Sequence, residues 1–259
     1  MDTYQKIVKM WQGYNIKTEA DLAVHLDSFR ILFAYNSNKI ENVNTTYSDT
    51  YEVFVNDRVT GYTGDTRTIT EIQNQKRAWL RTLQAFGRRE PINEAFVLEM
   101  QRIITEGTYD DVRMEKGECP GEYKKHHYVV GISETGAAPE TVAEEMAELF
   151  DEIDEADVGE ANLLTAATYF HAKFENIHPF SDGNGRTGRT MMNYYLLLNN
   201  HPPITIHDED RKDYYAALEA YHTDLDLEPL KGFLKEQTVK TWQKTLERQR
   251  PRKPKDLER

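Results

Sequence analysis

The sequence has little of what secreted and membrane proteins depend on. Its 259 residues include one cysteine, Cys119, so an internal disulfide is excluded and a reducing compartment is expected. No apolar run approaches the roughly 18 to 20 residues of a membrane span. The opening stretch MDTYQKIVKMWQGYN has scattered charges and no apolar core of the kind that signal peptides carry. These absences predict a cytoplasmic protein that does not enter a membrane.

Positive charge is also scarce. The chain has 32 Lys and Arg against 44 Asp and Glu, a net charge of -12, which disfavours nucleic acid as a partner. The basic stretch RQRPRKPKDLER runs against this trend, but its prolines predict a solvated, disordered tail over residues 246–259. Hydrophobic residues make up 39% of the chain, which is typical of a globular fold.

Helical periodicity dominates the remainder of the sequence. Leu22, Leu26, Phe29 and Phe33 recur at intervals of three and four, which predicts a helix over residues 19–35. Similar patterns predict further helices over residues 72–86, 92–107, 142–153, 162–176, 185–200, 208–222 and 229–246. The exception is YKKHHYVVGIS, whose β-branched and aromatic residues predict a short strand or hairpin. A mainly α fold is therefore expected.

The stretch IHPFSDGNGRTGR, residues Ile177–Arg189, interrupts this helical pattern. Pro179 prevents a continuous helix. Gly183, Asn184 and Gly185 then allow a backbone in which successive N–H groups point into one concavity, just before another helix begins. Because a helix N-terminus also carries unpaired N–H groups and a favourable dipole, we expect an anion site here, most simply for a polyphosphate.

Charged side chains within this stretch suggest a reaction. Arg186 and Arg189 are three residues apart, so both fall on one face of the new helix, and their guanidinium groups match phosphate oxygens. Asp182 can hold Mg²⁺, and the imidazole of His178 can accept a proton from an attacking hydroxyl. Together they predict phosphoryl or nucleotidyl transfer from a nucleoside triphosphate. The alternative is a glycine-rich loop with a structural histidine.

The run HPFSDGNGRTGR resembles the full signature of the Fic family, His-Pro-Phe-x-[Asp/Glu]-Gly-Asn-Gly-Arg-x-x-Arg. The resemblance implies a Fic-type helical core with a short β-hairpin flap, and transfer of AMP from ATP to a Ser, Thr or Tyr hydroxyl of a target protein. By the same resemblance His178 is the base, Asp182 the Mg²⁺ ligand and Arg189 the γ-phosphate ligand. The remaining implied nucleotide-binding residues are Gly183, Asn184, Gly185 and Arg186.

Two further regions receive roles from the resemblance. A target segment would add a strand to the flap at Val129, Val130, Gly131 and Ile132, unless the hairpin only covers the core. Tyr214 and Tyr215 lie where the family often lines the pocket for the nucleotide base. Aromatic residues on a helix face are equally compatible with core packing, so that alternative is left open.

An inhibitory element is predicted before the core, in YNSNKIENVN. Ser37, Glu41 and Asn42 match the family's inhibitory pattern [Ser/Thr]-x-x-x-Glu-[Gly/Asn]. Ser37 and Glu41 are four residues apart and so share a helical face. The resemblance implies that Glu41 pairs with Arg189 and prevents productive ATP binding. The alternative is a solvated glutamate at a helix end.

These observations predict three parts of the chain. Residues 1–60 form an N-terminal helical extension with the inhibitory motif, residues 61–245 the Fic domain, and residues 246–259 the tail. The partners are ATP and a hydroxyl-bearing protein target, with homodimerisation left open. Two other functions also stay open: removal of AMP with the help of Glu41, and nucleotide binding by a scaffold without catalysis.

Overall fold

We describe a computed structural model of the chain over residues 1–130, 133–134, 136–156, 159 and 162–249. Within those ranges the fold consists of α-helices, one 3₁₀ turn at Asp208–Asp210, and two short strands. The helices are α1 Thr3–Gln12, α2 Glu19–His25, α3 Asp27–Glu41, α4 Tyr47–Asn56, α5 Thr66–Arg88, α6 Glu94–Thr105, α7 Asp111–Glu115, α8 Val142–Glu155, α9 Leu163–Ile177, α10 Asn184–Leu198, α11 Arg211–Asp224 and α12 Glu228–Gln249. The prediction of a mainly α fold is confirmed.

Polar residues at N-caps decide where many of these helices begin. The Asp65 carboxylate accepts the N–H of Arg67 at 2.9 Å, and this fixes the start of α5. Asn93 caps α6 in the same way by accepting the N–H of Phe96 at 3.0 Å. Each cap provides an acceptor for an N–H group that has no partner inside its own helix.

The helix predicted over residues 19–35 is divided in two. Leu26 leaves the helical conformation, with φ −108° and ψ 11°, and separates α2 from α3. Its side chain and those of Leu22, Phe29 and Phe33 are nevertheless all buried. The periodicity therefore identified the buried face correctly, but the prediction of one continuous helix was wrong. The pattern of apolar residues reports which side chains are buried and does not report the backbone conformation at Leu26. The second helix, α3, continues to Glu41 and so carries Ser37 and Glu41, while Asn42 follows its last residue.

The start of α11 also differs from the prediction. A helix was predicted from residue 208, but residues Asp208–Asp210 form the 3₁₀ turn and α11 begins at Arg211 without a side-chain cap. The backbone N–H of Asp208 donates to Asn36 Oδ1 in α3 at 2.9 Å. A contact with a distant segment thus holds the start of the turn.

The centre of the fold is the pair α9 and α10, which pack along each other. Helix α10 also contacts α3, α5 and α6, and α9 contacts α8, α11 and α12. Phe170 and Phe174 from α9 and Tyr194 from α10 are fully enclosed. The loop that joins these two helices is therefore held between the most buried elements of the fold, which gives it a rigid foundation.

The N-terminal helices pack against the C-terminal one. Trp242 of α12 contacts Trp11 of α1 with ring centroids 5.3 Å apart, and stacks on Phe29 of α3 at 5.9 Å. Helix α12 includes residues 246–249, which the sequence assigned to the tail, whereas residues 250–259 lie outside the described part of the chain. Among the helices described, none is both long and apolar enough to cross a lipid bilayer.

Candidate active site

The loop between α9 and α10 begins with His178, which ends α9 in the left-handed conformation at φ 50° and ψ 60°. Its backbone N–H donates to the Phe174 carbonyl at 3.0 Å and completes the last helical turn. Pro179 follows and cannot continue a helix because it lacks an N–H donor. The combination turns the chain sharply and sets the imidazole at the start of the loop.

Gly183 ends the loop and caps α10 at φ 83°, a left-handed conformation that glycine adopts without steric cost. A Cβ atom at this position would lie 2.4 Å from Thr105 Cγ2, so the site also lacks room for a side chain. The first N–H groups of α10 follow directly and point along the helix axis toward the loop. The left-handed backbone at Gly183 is thus found as expected, and its role in binding an anion stays a prediction.

Asn184 closes the loop with its side chain. Its Oδ1 accepts the Phe180 N–H at 2.8 Å, and its Nδ2 donates to the Phe180 carbonyl at 2.7 Å. Phe180 is itself fully buried, so these bonds fix the loop to the core. The amide of Asn184 is thus used within the loop, and what this residue offers to an anion is its backbone N–H.

A cavity of about 270 Å³ opens beside the loop. The predicted residues His178, Asp182, Gly183, Asn184, Gly185, Arg186 and Glu41 line it, together with Arg113, Tyr128 and Ser181. A larger cavity, about 920 Å³, lies between α1, α9 and α12, but none of the predicted site residues lines it. We therefore locate the candidate site at the smaller cavity, because most of the residues predicted to bind nucleotide and to catalyse the reaction line it.

The protonation state of His178 suits a base. Burial lowers its pKa to about 4, with the positive charge of Lys124 acting in the same direction and the negative charge of Glu41 opposing it. The imidazole is therefore neutral at pH 7 and able to accept a proton. A bound triphosphate would add negative charge nearby, which raises the pKa and makes the imidazole a stronger base when substrate is present.

Asp182 is held by two guanidinium groups. Its Oδ2 lies 2.9 Å from Arg67 Nη2, and its Oδ1 lies 3.0 Å from Arg186 Nη2. Arg186 is buried and also lies 3.2 Å from the buried carboxylate of Glu71, an ion pair without hydrogen-bond geometry. The two predicted ligands Asp182 and Arg186 are thus brought together, and both are oriented by α5.

The carboxylate of Asp182 fits a Mg²⁺ ion. Among the described residues, no three His, Cys, Asp or Glu side chains gather into a metal-binding cluster. Mg²⁺ typically needs only one or two protein carboxylates, because substrate phosphates and water supply its other ligands. A single half-buried carboxylate beside an anion site meets that requirement.

Arg189 is buried, with 1% of its surface exposed. Its Nη2 donates to Glu41 Oε1 at 2.8 Å and to the Ser37 carbonyl at 2.9 Å, and its Nε donates to Ser37 Oγ at 3.2 Å. Burial alone would lower the pKa of Arg189, but the Glu41 carboxylate, together with Tyr214 and Glu175, more than offsets this and the pKa is raised. One face of α3 therefore supplies most of the hydrogen-bond acceptors for this guanidinium.

Gly185 makes the approach of Glu41 possible. A Cβ atom on Gly185 would lie 2.3 Å from Glu41 Oε1 and 2.8 Å from Arg189 Nη1. The carboxylate consequently lies directly against the backbone of the first turn of α10, beside Gly185. Any side chain at position 185 would prevent this approach.

Asn42 extends the contact between α3 and the rest of the site. Its Nδ2 donates to Glu71 Oε2 at 2.8 Å and to Thr68 Oγ1 at 3.0 Å. Since Glu71 also pairs with Arg67 and Arg186, the end of α3 is connected to the phosphate-binding side of the loop. Asn42 itself does not line the cavity.

The two tyrosines predicted for the base pocket lie in different environments. Tyr214 is buried, its hydroxyl is hydrogen-bonded to His171 Nε2 at 2.8 Å, and its ring lies 5.9 Å from the Arg189 guanidinium carbon. Tyr215 is 46% exposed. Neither is among the described residues that line the 270 Å³ cavity. In this structure Tyr214 packs behind Arg189, and a role for either tyrosine toward a nucleotide stays a prediction.

The predicted flap is anchored on both sides of His178. The Lys124 N–H donates to the Pro179 carbonyl and the Ala137 N–H to the Ile177 carbonyl, each at 2.9 Å. Between these anchors, strand β1 Val129–Val130 pairs antiparallel with β2 Ser133–Glu134. Gly131 and Ile132, the other two predicted docking residues, lie outside the described residues.

Several residues at the site were missed from the sequence. Arg67 and Glu71 lie more than 100 positions before the loop, in a helix recognised only by its apolar face. Arg113 donates from Nε to the Ser181 carbonyl at 3.2 Å, and its guanidinium lies 5.9 Å from the Tyr128 ring. The i, i+4 spacing of Arg67 and Glu71 signals an ion pair, but nothing in the sequence connects that pair to the loop.

The chain is similar to known proteins in sequence and in fold. Residues 91–196 match the model of the Fic/DOC family. The chain carries a Fic/DOC domain. The match contains the loop, α6 and most of α10, while α3 and α5, which supply Glu41 and Arg67, precede it.

Named relatives share this Fic domain. The chain is 33% identical to protein adenylyltransferase fic-1 of Caenorhabditis briggsae over 122 residues. That stretch covers 47% of this chain and 22% of the relative. Over 89 residues the chain is 39% identical to protein adenylyltransferase Fic of Nematostella vectensis, 34% of this chain and 21% of the relative. The matched stretches span about a fifth of the length of these curated relatives.

Solved structures resemble nearly the whole fold. A Fic domain containing signaling protein from Bacteroides thetaiotaomicron aligns with a TM-score of 0.78 at 24% identity, covering 95% of this chain and 96% of the other. Fic-1 from C. elegans aligns with a TM-score of 0.78 at 20% identity, covering 95% of this chain and 71% of the other. The Fic helical fold thus extends beyond residues 91–196 to the N-terminal and C-terminal helices.

Proposed function

We propose that this chain is a protein adenylyltransferase that transfers AMP from ATP to a Ser, Thr or Tyr hydroxyl of a target protein. The observation that carries the proposal is the grouping of a neutral His178, Asp182, Arg186 and the α10 N-terminus around one cavity. The names of the relatives that share the Fic domain support the same reaction.

In the proposed reaction the target hydroxyl oxygen attacks the α-phosphorus of ATP. The bond from that phosphorus to the oxygen bridging the α- and β-phosphates breaks, and pyrophosphate leaves. His178 accepts the hydroxyl proton as the new P–O bond forms. The α10 N–H groups and Arg186 hold phosphate oxygens, and Mg²⁺ bound at Asp182 would neutralise part of their charge.

We infer that α3 restrains this reaction. Arg189 would hold the γ-phosphate, and its 2.8 Å contact with Glu41 supports competition between the carboxylate and that phosphate. Two negative groups cannot share one buried guanidinium without strong repulsion. ATP would therefore bind in an unproductive pose until α3 moves, while a nucleotide without a γ-phosphate would be much less affected.

A target segment would dock on the flap. Strand β1 pairs with only one neighbour among the described residues, and an extended peptide can add to a strand edge through main-chain hydrogen bonds. The anchors of the flap at Pro179 and Ile177 would place a docked hydroxyl close to His178.

Transfer of label from ATP tests the reaction class. Wild type, Glu41→Gly and Glu41→Gly/His178→Ala are incubated with Mg²⁺, a lysate as the source of targets, and ATP labelled on the α- or the γ-phosphate. We expect α-label on protein with Glu41→Gly, weak labelling with wild type, and none with the double variant. Protein labelled only from the γ-phosphate would indicate a kinase. Labelling by neither nucleotide would favour a nucleotide-binding scaffold.

Removal of AMP is a second candidate activity. The Glu41 carboxylate lines the same cavity as His178, so it could align a water molecule against an AMP-modified side chain. Release of AMP from a modified target by wild type, but not by Glu41→Gly, would support hydrolysis. A modified target that stays stable with both proteins would restrict the enzyme to transfer.

A further inference from the structure

Arg67 is positioned as if it replaced a metal ion. It lies in the first turn of α5, outside the matched Fic/DOC segment, and reaches Asp182 across 115 positions of sequence with an Nη2–Oδ2 distance of 2.9 Å. Its Nε donates to Glu71 Oε1 at 3.0 Å, so the guanidinium is oriented rather than loosely placed. The carboxylate that Arg67 contacts, that of Asp182, is the one that would bind Mg²⁺.

The charges around this carboxylate already balance. Two guanidinium groups, Arg67 and Arg186, face two carboxylates, Asp182 and Glu71, which leaves no net charge in the cluster. A divalent cation added at Asp182 would place two extra positive charges beside both arginines. Repulsion between the cation and a guanidinium group is costly at a separation of a few ångströms. One of the two guanidinium groups therefore has to move away unless bound phosphates balance the added positive charge.

Exposure shows which guanidinium can withdraw. The Arg186 side chain is 3% exposed and enclosed between Asp182 and Glu71, whereas the Arg67 side chain is 38% exposed. Arg67 can therefore move its charge into water at small cost, and Arg186 cannot. The two arginines of Asp182 are thus not equivalent.

We propose that Arg67 serves as a stand-in for the divalent cation: while metal is absent it neutralises the Asp182 carboxylate beside the proposed phosphate site, and it yields this place when metal binds. The inference rests on the proposed nucleotide site. The inference predicts that the nucleotide still binds when no metal is present. It also predicts that the difference in nucleotide affinity with and without metal is smaller when Arg67 is present than when it is replaced.

Calorimetry with ADP tests this role. ADP lacks the γ-phosphate, so the pair of Glu41 and Arg189 should have little influence on it. The dissociation constant is measured with Mg²⁺ and with EDTA for wild type, Arg67→Gln and Arg67→Lys. Arg77→Gln is the matched control, because Arg77 lies on the same helix and pairs with Glu106 instead.

We expect Arg67→Gln to weaken metal-free ADP binding about tenfold, which corresponds to the lower end of the range for a hydrogen bond to a charged group, because Arg67 is partly exposed. Binding with Mg²⁺ should change less than twofold, so the gain from the metal rises by nearly the same factor. Arg67→Lys keeps the charge and should recover part of the metal-free affinity, while Arg77→Gln should match wild type.

Three results would overturn the inference. An equal loss of affinity with and without Mg²⁺ would make Arg67 a structural residue or an ordinary phosphate ligand. Unchanged ADP affinity in Arg67→Gln under both conditions would remove the inference and leave the proposed nucleotide site intact. Failure of every variant, wild type included, to bind ADP would overturn the inference and the proposed nucleotide site together.

Discussion

Replacing Glu41 with glycine should separate ATP from ADP. The substitution removes the carboxylate that lies 2.8 Å from the Arg189 guanidinium and leaves the hydrogen bonds from Arg189 to Ser37 intact. Arg189 is then buried without its counter-charge, which favours any ligand that restores a negative group there. A γ-phosphate is such a group, and ADP does not have one.

The size of the effect follows from the contact that is lost. A hydrogen bond to a charged group contributes about 1.5–3 kcal/mol net. The Glu41 side chain is 33% exposed, so the lower part of that range applies. With a factor of ten for each 1.4 kcal/mol, the affinity for a non-hydrolysable ATP analogue should rise roughly ten- to thirtyfold.

Calorimetry in the presence of Mg²⁺ measures this selectivity. Wild type, Glu41→Gly and Glu41→Gln are compared for the ATP analogue and for ADP. ADP affinity should change less than about twofold, because the β-phosphate does not depend on Arg189. Glu41→Gln keeps the size of the side chain and loses only its charge, so an intermediate gain is expected.

An equal gain for both nucleotides would refute the reasoning. It would mean that Glu41 obstructs the whole cavity through its position over Gly185, not Arg189 in particular. No gain for either nucleotide would mean that the contact between Glu41 and Arg189 has no bearing on binding.

Three further predictions concern stability. An alanine in the left-handed conformation costs roughly 1–2 kcal/mol of stability. Gly183→Ala should lower the free energy of unfolding by more than this amount, because there is no room for a Cβ atom at that position. Gly117→Ala, at φ 77° in open space, is the control and should show the backbone cost alone in urea denaturation. Burial lowers the pKa of His201 to about 4 in the folded chain, against about 6.5 when unfolded. As the pH falls, the unfolded state therefore binds the proton first, and the free energy of unfolding should decrease between pH 6.5 and pH 4 by up to about 3 kcal/mol. Thermal melts of His201→Gln should show a weaker dependence of stability on pH. Asn42→Ala removes three side-chain hydrogen bonds, to Thr68, to Glu71 and from the Asn44 N–H, and should cost about 1–2 kcal/mol in the same assay, while adenylylation rises if the end of α3 loosens.

The sequence alone determined the local features of this protein. Helical periodicity depends on which residues face the core, so it gave the mainly α fold and the buried face of α3. The run from His178 to Arg189 is contiguous, so its proline, glycines and charges were enough to predict a turn, an anion site and a base. Asn184 shows the limit of local reasoning, because its side chain was free to face an anion and instead closes the loop on Phe180.

Only the tertiary structure decided which distant groups meet at the loop. The pairing of Glu41 with Arg189, 148 positions apart, was expected from the family resemblance alone, and the pairing of Arg67 with Asp182, 115 positions apart, was not expected. Ion pairs at such separations depend on how α3 and α5 pack against α10, and packing leaves no periodic signal in a single sequence. The low pKa of His178 has the same origin, since burial and the nearby Lys124 arise from the assembled core and not from neighbours in the chain.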